Sequence, residues 1–465
     1  MENGAQKLSI GEKIGYGLGD TASNLFFQTF IFYLVYFYTD VFGISAGALG
    51  TMLLVTRIWD AVNDPIMGAL ADRTNSRWGK FRPYLLWAAV PFGIFGVLMF
   101  TTPNLSPTGK LIWAYVTYTS MTMIYTVINV PYSALMGVIT SNSMDRTVVS
   151  SFRFVLAFVG MFIAQYFVLV MVKKFGGDNE AAGWQRAMIV LSALAVALFL
   201  ITFATTKERV SPPKGQKNPL GQDLKDLFTN GPWLLIGGAT VFQLSYIVLR
   251  ASNIMFYFKY FVKSYEVALF GQSRTFTFEE LATAYILAGT LLTILGAVLT
   301  KWFSQLIGKS NTYLGFLAVA AVSTGLVYVL GPGQMIPLFL LQLVTSFAVG
   351  PVSALQWAIY ADAADYNEWK TGRRATALIM AASLFALKLG VAIAGAACAW
   401  NLAACGYIGN QEQTAESLNG IRLCMSIYPA LFAIGGVVLM LFYPLSNKRM
   451  KTIEMDLIHR RTQTV

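Results

Sequence analysis

Thr56-Arg57-Ile58-Trp59-Asp60-Ala61-Val62-Asn63-Asp64-Pro65 puts two carboxylates and a guanidinium inside the second long apolar stretch of the chain. A charged side chain at bilayer depth costs roughly 2.5 to 3.5 kcal/mol on insertion scales, so such residues face a cavity or a partner and mark an ion or substrate path. Asp60 and Asp64 stand four apart and share one helix face, with Arg57 three residues earlier. Pro65 lacks an amide donor and leaves the carbonyl of Ala61 without its helical partner, a further oxygen for a hard cation. Two readings stand side by side: a cation site, or a buried ion pair with Arg57. One arginine leaves the second carboxylate over, which favours the cation site.

The rest of the composition agrees with burial in lipid. Of 465 residues, 56% are hydrophobic and 12% are charged, against about 25% charged in a soluble domain. At roughly 20 apolar residues per span, the length accommodates about twelve membrane helices. The first of them, near Leu25 to Tyr38, lacks a small-residue cleavage site and reads as a span, not a leader. The net charge of +11 collects in loops that fall on one side if the amino terminus is cytoplasmic. The basic excess is therefore topological, and nucleic acid is not an expected partner. Cys398, Cys405 and Cys424 have no metal-ligand spacing, although a Cys405–Cys424 disulfide across the last outer loop is one arrangement open to them. The single histidine, His459, lies in the tail, so a membrane-embedded enzyme is the weakest of the function classes.

Charged and amide residues recur along the other spans. Asp20 and Asn24 share a face of the first helix, with Asp20 either turned inward or solvated near the helix end. The fourth span holds Tyr125, Thr126, Asn129, Pro131 and Ser133. Arg153 opens the fifth span and either snorkels to the interface or reaches inward as a hydrogen-bonding fork. The seventh carries Gln243, Arg250 and Asn253, the tenth Gln342, Gln356 and Trp357, and the eleventh a lone Lys388 that requires an anionic partner or a cavity. Residues 206–230, with Pro212-Pro213-Lys214-Gly215, read as a cytoplasmic linker between six-helix halves at 1–205 and 231–445, followed by a basic tail at 446–465 that reads as solvated.

Gly68-Ala69-Leu70-Ala71-Asp72-Arg73, followed by Arg77-Trp78-Gly79-Lys80-Phe81-Arg82-Pro83, resembles the loop between the second and third helices of the major facilitator superfamily. Gly296 to Lys301, then Gly308-Lys309, echoes it at the eighth span, as two inverted or parallel repeats would. Asp72 at a helix carboxyl end needs compensation from a neighbouring charge; the superfamily resemblance implies that Asp72, Arg73 and Arg82 gate the cytoplasmic side. The mixed-sign loop expected after the tenth span, with Asp362 and Arg373, reads as a second latch.

The segments 57–65, 77–83, Asn129-Val130-Pro131-Tyr132 and 361–369 are together similar to the glycoside-pentoside-hexuronide cation symporter family, of which the melibiose carrier is the best-known member. The resemblance covers essentially the whole chain and runs to the bacterial glycoside, xyloside and glucuronide carriers. It implies an all-α membrane protein of the major facilitator fold, about twelve helices in two pseudo-symmetric halves. It also implies symport of a small glycoside or sugar with sodium or a proton. On that resemblance Asp60 and Asp64, with Asn63 and Thr126 beside them, hold the monovalent cation. Arg153 contacts sugar, Lys388 bridges the sugar and cation sites, Tyr125 and Asn129 lie on the stretch shared by both, and Asp20, Asn24, Gln356 and Trp357 complete the candidate substrate set. Asn24 and Asn129 stand where the melibiose carrier has carboxylates; amides still bind hydroxyls, without charge-assisted strength. No enzymatic cofactor is implied. The expected setting is the bacterial inner membrane, as a monomer with both termini cytoplasmic. Export or exchange of an anionic hexuronide or sulfonated sugar, and lysolipid transport, are the rival readings.

Overall fold

Helical segments follow one another with short connections because nearly every stretch of 18 or more residues between loop signals is apolar, and a backbone in lipid must satisfy its own polar groups. In the computed structural model the described residues are 8–140, 143–209, 227–269, 272–372 and 376–463. They divide into two compact units, Met1–Gly215 and Gln216–Val465.

The first unit holds α1 (Ile10–Tyr36, continued as a π-helical turn over Phe37–Val41), α2 (Ala46–Arg73), α3 (Arg82–Met99), α4 (Pro107–Ile139), α5 (Ser143–Gly176) and α6 (Glu180–Thr205). Starts are marked by side-chain caps: Ser9 accepts from the Glu12 amide, Ser106 from Gly109 and Asn179 from Ala182. Helix α1 packs on α5 and α6, α3 on α4 and α6, and α2 on α4.

The second unit holds α7 (Gly231–Phe256, with a π-helical end over Tyr257–Val262), a hairpin of β1 (Tyr265–Leu269) and β2 (Gln272–Phe276), α8 (Phe278–Ile307), α9 (Lys309–Leu326), α10 (Met335–Thr371), α11 (Thr376–Ala404), and α12 (Ala415–Met425) broken at Ser426 from α13 (Ile427–Leu441). A last helix, α14, covers Asn447–Gln463. The pairings repeat those of the first unit: α7 packs on α11 and α13, α9 on α10 and α13, and α8 on α10. Both leading helices, α1 and α7, end in a π-helical turn. Ile236, Tyr246, Tyr313, Leu317, Leu355 and Ile359 are among the fully buried core of this unit.

Among the described residues ten helical stretches are long and apolar enough to cross a membrane. The two other long helices of the first unit, α1 with 27 residues and α2 with 28, carry the polar runs singled out above.

The helical expectation holds, with one antiparallel hairpin among the described residues, paired from Tyr265↔Phe276 to Leu269↔Gln272. Two expectations are corrected. The charged segment from Asp362 is no loop: α10 runs through it to Thr371 and stops at Gly372, whose φ of +70° closes the helix. Local charge density masked the continuing buried face of Ile359, Ala363 and Asn367. The tail is not simply solvated, since Leu445, Met450, Ile453 and Leu457 form a buried stripe against Tyr366, Trp369 and Tyr443, and Trp369 Nε1 donates to Asp456 Oδ2 at 2.9 Å. Spacings of three and four residues make α14 amphipathic, which a net-charge reading of the tail overlooks.

Candidate functional site

Helices α2 and α4 cross with Asp60, Asp64 and Thr126 facing one another. The Thr126 hydroxyl lies 3.0 Å from Asp60 Oδ1 and 3.0 Å from Asp64 Oδ1. Asp60 and Thr126 are 3% and 2% exposed, so these oxygens meet away from bulk solvent. Four-residue spacing on α2 is what aligns the two carboxylates with a single residue of the partner helix. Arg57 Nη1 stands 3.6 Å from Asp60 Oδ2, so the ion-pair reading is realised for Asp60 alongside the convergence of both carboxylates. The guanidinium also lies against Tyr118. Asn63 is half-buried, and its Nδ2 is enclosed without a hydrogen-bond partner. Such a cluster of hard oxygens can hold a small cation or share a proton.

A second polar group lines α1, α4 and α5. Arg153 reaches inward, with Nε 2.7 Å from Asp20 Oδ2 and Nη2 3.4 Å from Asp20 Oδ1, and its guanidinium lies 5.2 Å from the centroid of Tyr132. The snorkelling and solvated alternatives for these two residues are thereby replaced by a forked ion pair. Tyr132 stacks on Tyr16 at 4.7 Å, and each hydroxyl donates to the other's carbonyl, at 2.7 and 3.1 Å. Asn24 Nδ2 donates to the Asp20 carbonyl at 3.0 Å. Asn129 Nδ2 donates to the Tyr125 carbonyl at 2.9 Å while its Oδ1 accepts from Ser23 at 2.8 Å. The Tyr125 ring lies 6.2 Å from Phe92 and 6.5 Å from Phe27.

In the second unit Arg250 is 8% exposed and donates through Nη2 to Tyr285 Oη at 2.6 Å and to Gln342 Oε1, while its Nε is enclosed without a hydrogen-bond partner. No ion pair of Arg250 occurs among the described residues. Gln356 is buried, with Nε2 unpartnered, and Trp357 is 44% exposed with its ring 5.9 Å from Tyr360. Lys388 is half-buried on α11. The three cysteines are free thiols; Cys405 Sγ points to the carbonyls of Leu402 and Ser417 and not to Cys424.

At the helix ends, the residues sequence reasoning missed are the best connected. Glu208, after α6, accepts from the amides of Lys80, Phe81 and Arg82 at 2.9, 2.7 and 2.9 Å, capping α3 with a full charge. Arg82 Nη2 donates to the Phe203 carbonyl at 2.7 Å. Arg209 forks onto buried Glu12 at 2.6 and 2.9 Å, and that bond raises the guanidinium pKa above its ordinary value. In the second unit Lys309 Nζ meets Asp362 at 2.8 and 3.0 Å, and the Lys309 amide donates to Asn447 Oδ1 at 3.3 Å. Arg73 is exposed at the end of α2; the Asp72 side chain and Arg373 lie outside the described residues. Nothing local announces Glu208 or Asn447 as caps, because each partner loop is more than a hundred residues away.

Paired helical units, charges buried within spans and loops tied at the helix ends together define a polytopic membrane transporter of the major facilitator fold. The chain belongs to the MFS/sugar transport protein family, whose model matches residues 15–447. It is 38% identical over 451 residues to the inner membrane symporter YicJ of Escherichia coli K12, covering 97% of this chain and 95% of that one. Over 462 residues it is 38% identical to the putative glycoside/cation symporter YagG of the same organism, with 98% and 97% covered. A solved structure of a bacterial homologue of the human lysosomal transporter Spinster superposes with TM-score 0.65 at 14% identity, over 93% of this chain and 95% of that one, a likeness of fold.

Proposed function

We propose that the chain is a cation-coupled symporter that carries a glycoside or related sugar across a bacterial inner membrane, with both termini cytoplasmic and no chemical conversion of the cargo. The observation that carries this reading is the meeting of Asp60, Asp64 and Thr126, two carboxylate oxygens each 3.0 Å from one hydroxyl in buried helix. Sodium or a proton bound there removes buried negative charge, and any preference of the loaded state for sugar is a coupling free energy that acts equally in both directions. Asn24, Asn129 and Tyr125 offer donors and acceptors to hydroxyls, with Asp20 and Arg153 as a charged fork beside them. Gln356, Trp357 and Lys388 are the contacts assigned to the second unit. Glu208 with Arg82, and Lys309 with Asp362, are the loop ties that must loosen when the carrier changes state.

A second reading concerns charge on the cargo. Arg250 is a buried cation whose described partners are a phenol and an amide, and neither supplies a countercharge. A carboxylated or sulfonated sugar would supply one.

The test is uptake into proteoliposomes of a panel of neutral, carboxylated and sulfonated glycosides under imposed sodium or pH gradients. Accumulation against a concentration gradient that follows one cation is expected. Equilibration indifferent to both gradients overturns the symport reading in favour of exchange or facilitated diffusion, and accumulation confined to acidic glycosides selects the second reading.

A further inference from the structure

Each unit ends its leading helix with a residue at positive φ just past the π-helical turn, a glycine in one and a lysine in the other. In the first, the π-helical end of α1 closes when the Gly43 amide donates to the Tyr38 carbonyl at 3.1 Å, with Gly43 at φ +81°. In the second, the π-helical end of α7 closes when the Lys263 amide donates to the Phe258 carbonyl at 2.7 Å, with Lys263 at φ +66° and ψ −85°. Glycine takes that conformation freely and lysine only under strain. The first unit thus displays the relaxed solution, and the second keeps a side chain where the backbone favours none. Retained strain of this kind points from an observed outlier to a use for the side chain.

The use is visible around it. Lys263 lines a cavity of about 500 Å³ together with Lys259, Tyr260, Asn410, Gln411 and Glu412, within the range typical of small-molecule pockets. The far wall is a loop held in shape by its own bonds. Gln413 Nε2 donates to the carbonyls of Ile408 and Gln411, and Gln413 Oε1 accepts from Ser417. Tyr260 Oη accepts from the Asn410 amide at 2.9 Å and from Tyr407 Oη at 3.0 Å, and Lys259 Nζ donates to Asn410 Oδ1 at 2.7 Å. The cavity lies where α7 ends, at the opposite end of that helix from the linker.

We propose that this cavity is a capture site for hydroxyl-rich glycosides on the outer face of the membrane, separate from the α2–α4 cation cluster. The mixture of groups selects the ligand class. Hydroxyls both donate and accept, so they can meet ammonium donors, amides and the Glu412 carboxylate at once. Glu412 stands 4.0 Å from Lys263 Nζ and leaves Lys259 as excess positive charge, so neutral and acidic glycosides both fit, while an apolar ligand would leave the amides without partners. The site rests on the glycoside-carrier reading for its ligand class and orientation, and it extends that reading to a step before transport.

The experiment is initial uptake of methyl β-xyloside, methyl β-glucoside and methyl β-glucuronide by full-length protein in oriented proteoliposomes, comparing wild type with Lys263→Gly and Lys263→Arg. Lys263→Gly should raise the KM for external glycoside about fivefold while the melting temperature holds or rises, because the backbone relaxes as it does at Gly43. Lys263→Arg should restore most of the KM and show that the positive donor, not the local fold, is responsible. Unchanged KM in Lys263→Gly alongside normal uptake overturns the capture site and leaves the symporter reading intact. A fall in melting temperature with KM unchanged overturns it equally, since the lysine is then structural. Absence of uptake of every glycoside by wild type overturns the symporter reading, and the capture site falls with it.

Discussion

The two units pair their helices in the same order and treat charge in opposite ways. In the first, arginines answer carboxylates inside the unit: Arg153 forks onto Asp20, Arg57 faces Asp60, and Arg209 forks onto Glu12. In the second, the buried Arg250 is answered by a phenol and an amide, and the shortest ion pair among the described residues of that unit, Lys309 with Asp362, involves the first residue of α9. The same difference shows at the repeated loops. Gly79, at φ +106°, is closed by the Glu208 carboxylate, and Gly308, at φ +89°, by the Asn447 amide. A duplicated scaffold therefore keeps its helix pairing while its halves differ in how they neutralise buried charge.

The largest effect tests that difference directly. Asp64→Asn should abolish cation-driven uptake, removing the accumulation of roughly 50-fold that a membrane potential of about 100 mV supports per charge moved. Arg250→Gln should leave cation dependence in place and shift only the preference between acidic and neutral glycosides. If Arg250→Gln abolishes cation dependence as well, the contrast between the units is wrong. Uptake assays in the same vesicles report both.

The next effect is on stability. Asp20→Ala leaves a partly buried guanidinium without its partner and should cost about 2 kcal/mol, between the values for exposed and fully buried pairs. Adding Arg153→Ala should return part of that loss, which a thermal-unfolding cycle in detergent measures. Additive losses in the cycle would mean that the ion pair contributes nothing specific.

The smallest effects compare the repeated loops. Gly79→Ala forces a Cβ against the Glu208 carboxylate at an unfavourable φ and should cost about 2 kcal/mol, and Gly308→Ala about half as much because a neutral amide yields more readily. Asn447→Asp should bring the second loop toward the first by about 0.5 kcal/mol, the usual gain from an anion at a helix amino terminus. Equal melting temperatures for the two alanine variants would show that the charge on the Glu208 cap is immaterial.

Periodicity and spacing made much of this legible. Asp60 and Asp64 announced a shared helix face because four residues come just past one turn, and the Gly79-Lys80 and Gly308-Lys309 echo marked the repeat. Thr126 was reachable only through family resemblance, since the α2–α4 crossing is a tertiary fact. Glu208, Glu12 and Arg209 were invisible for the same reason: a carboxylate after α6 that caps α3 leaves no local pattern. Asp362 misled because ten residues of mixed charge look like a loop, although Ala363 and Ala364 are strong helix formers and Tyr366 and Trp369 supply an apolar face to α14. The hairpin escaped because two five-residue strands between long helices carry little signal of their own.

The Thr126 hydroxyl owns one hydrogen and has two aspartate oxygens at equal distance. At any instant the hydrogen serves one of them, so the two oxygens take that donor in turn. A cation seated between the carboxylates ends the rivalry: the hydroxyl turns a lone pair to the ion and its hydrogen away. If the proposed cation site is right, the threonine gauges its occupancy, and a shift in the stretching frequency of that one O–H bond on adding sodium would show it without any label on sugar or ion.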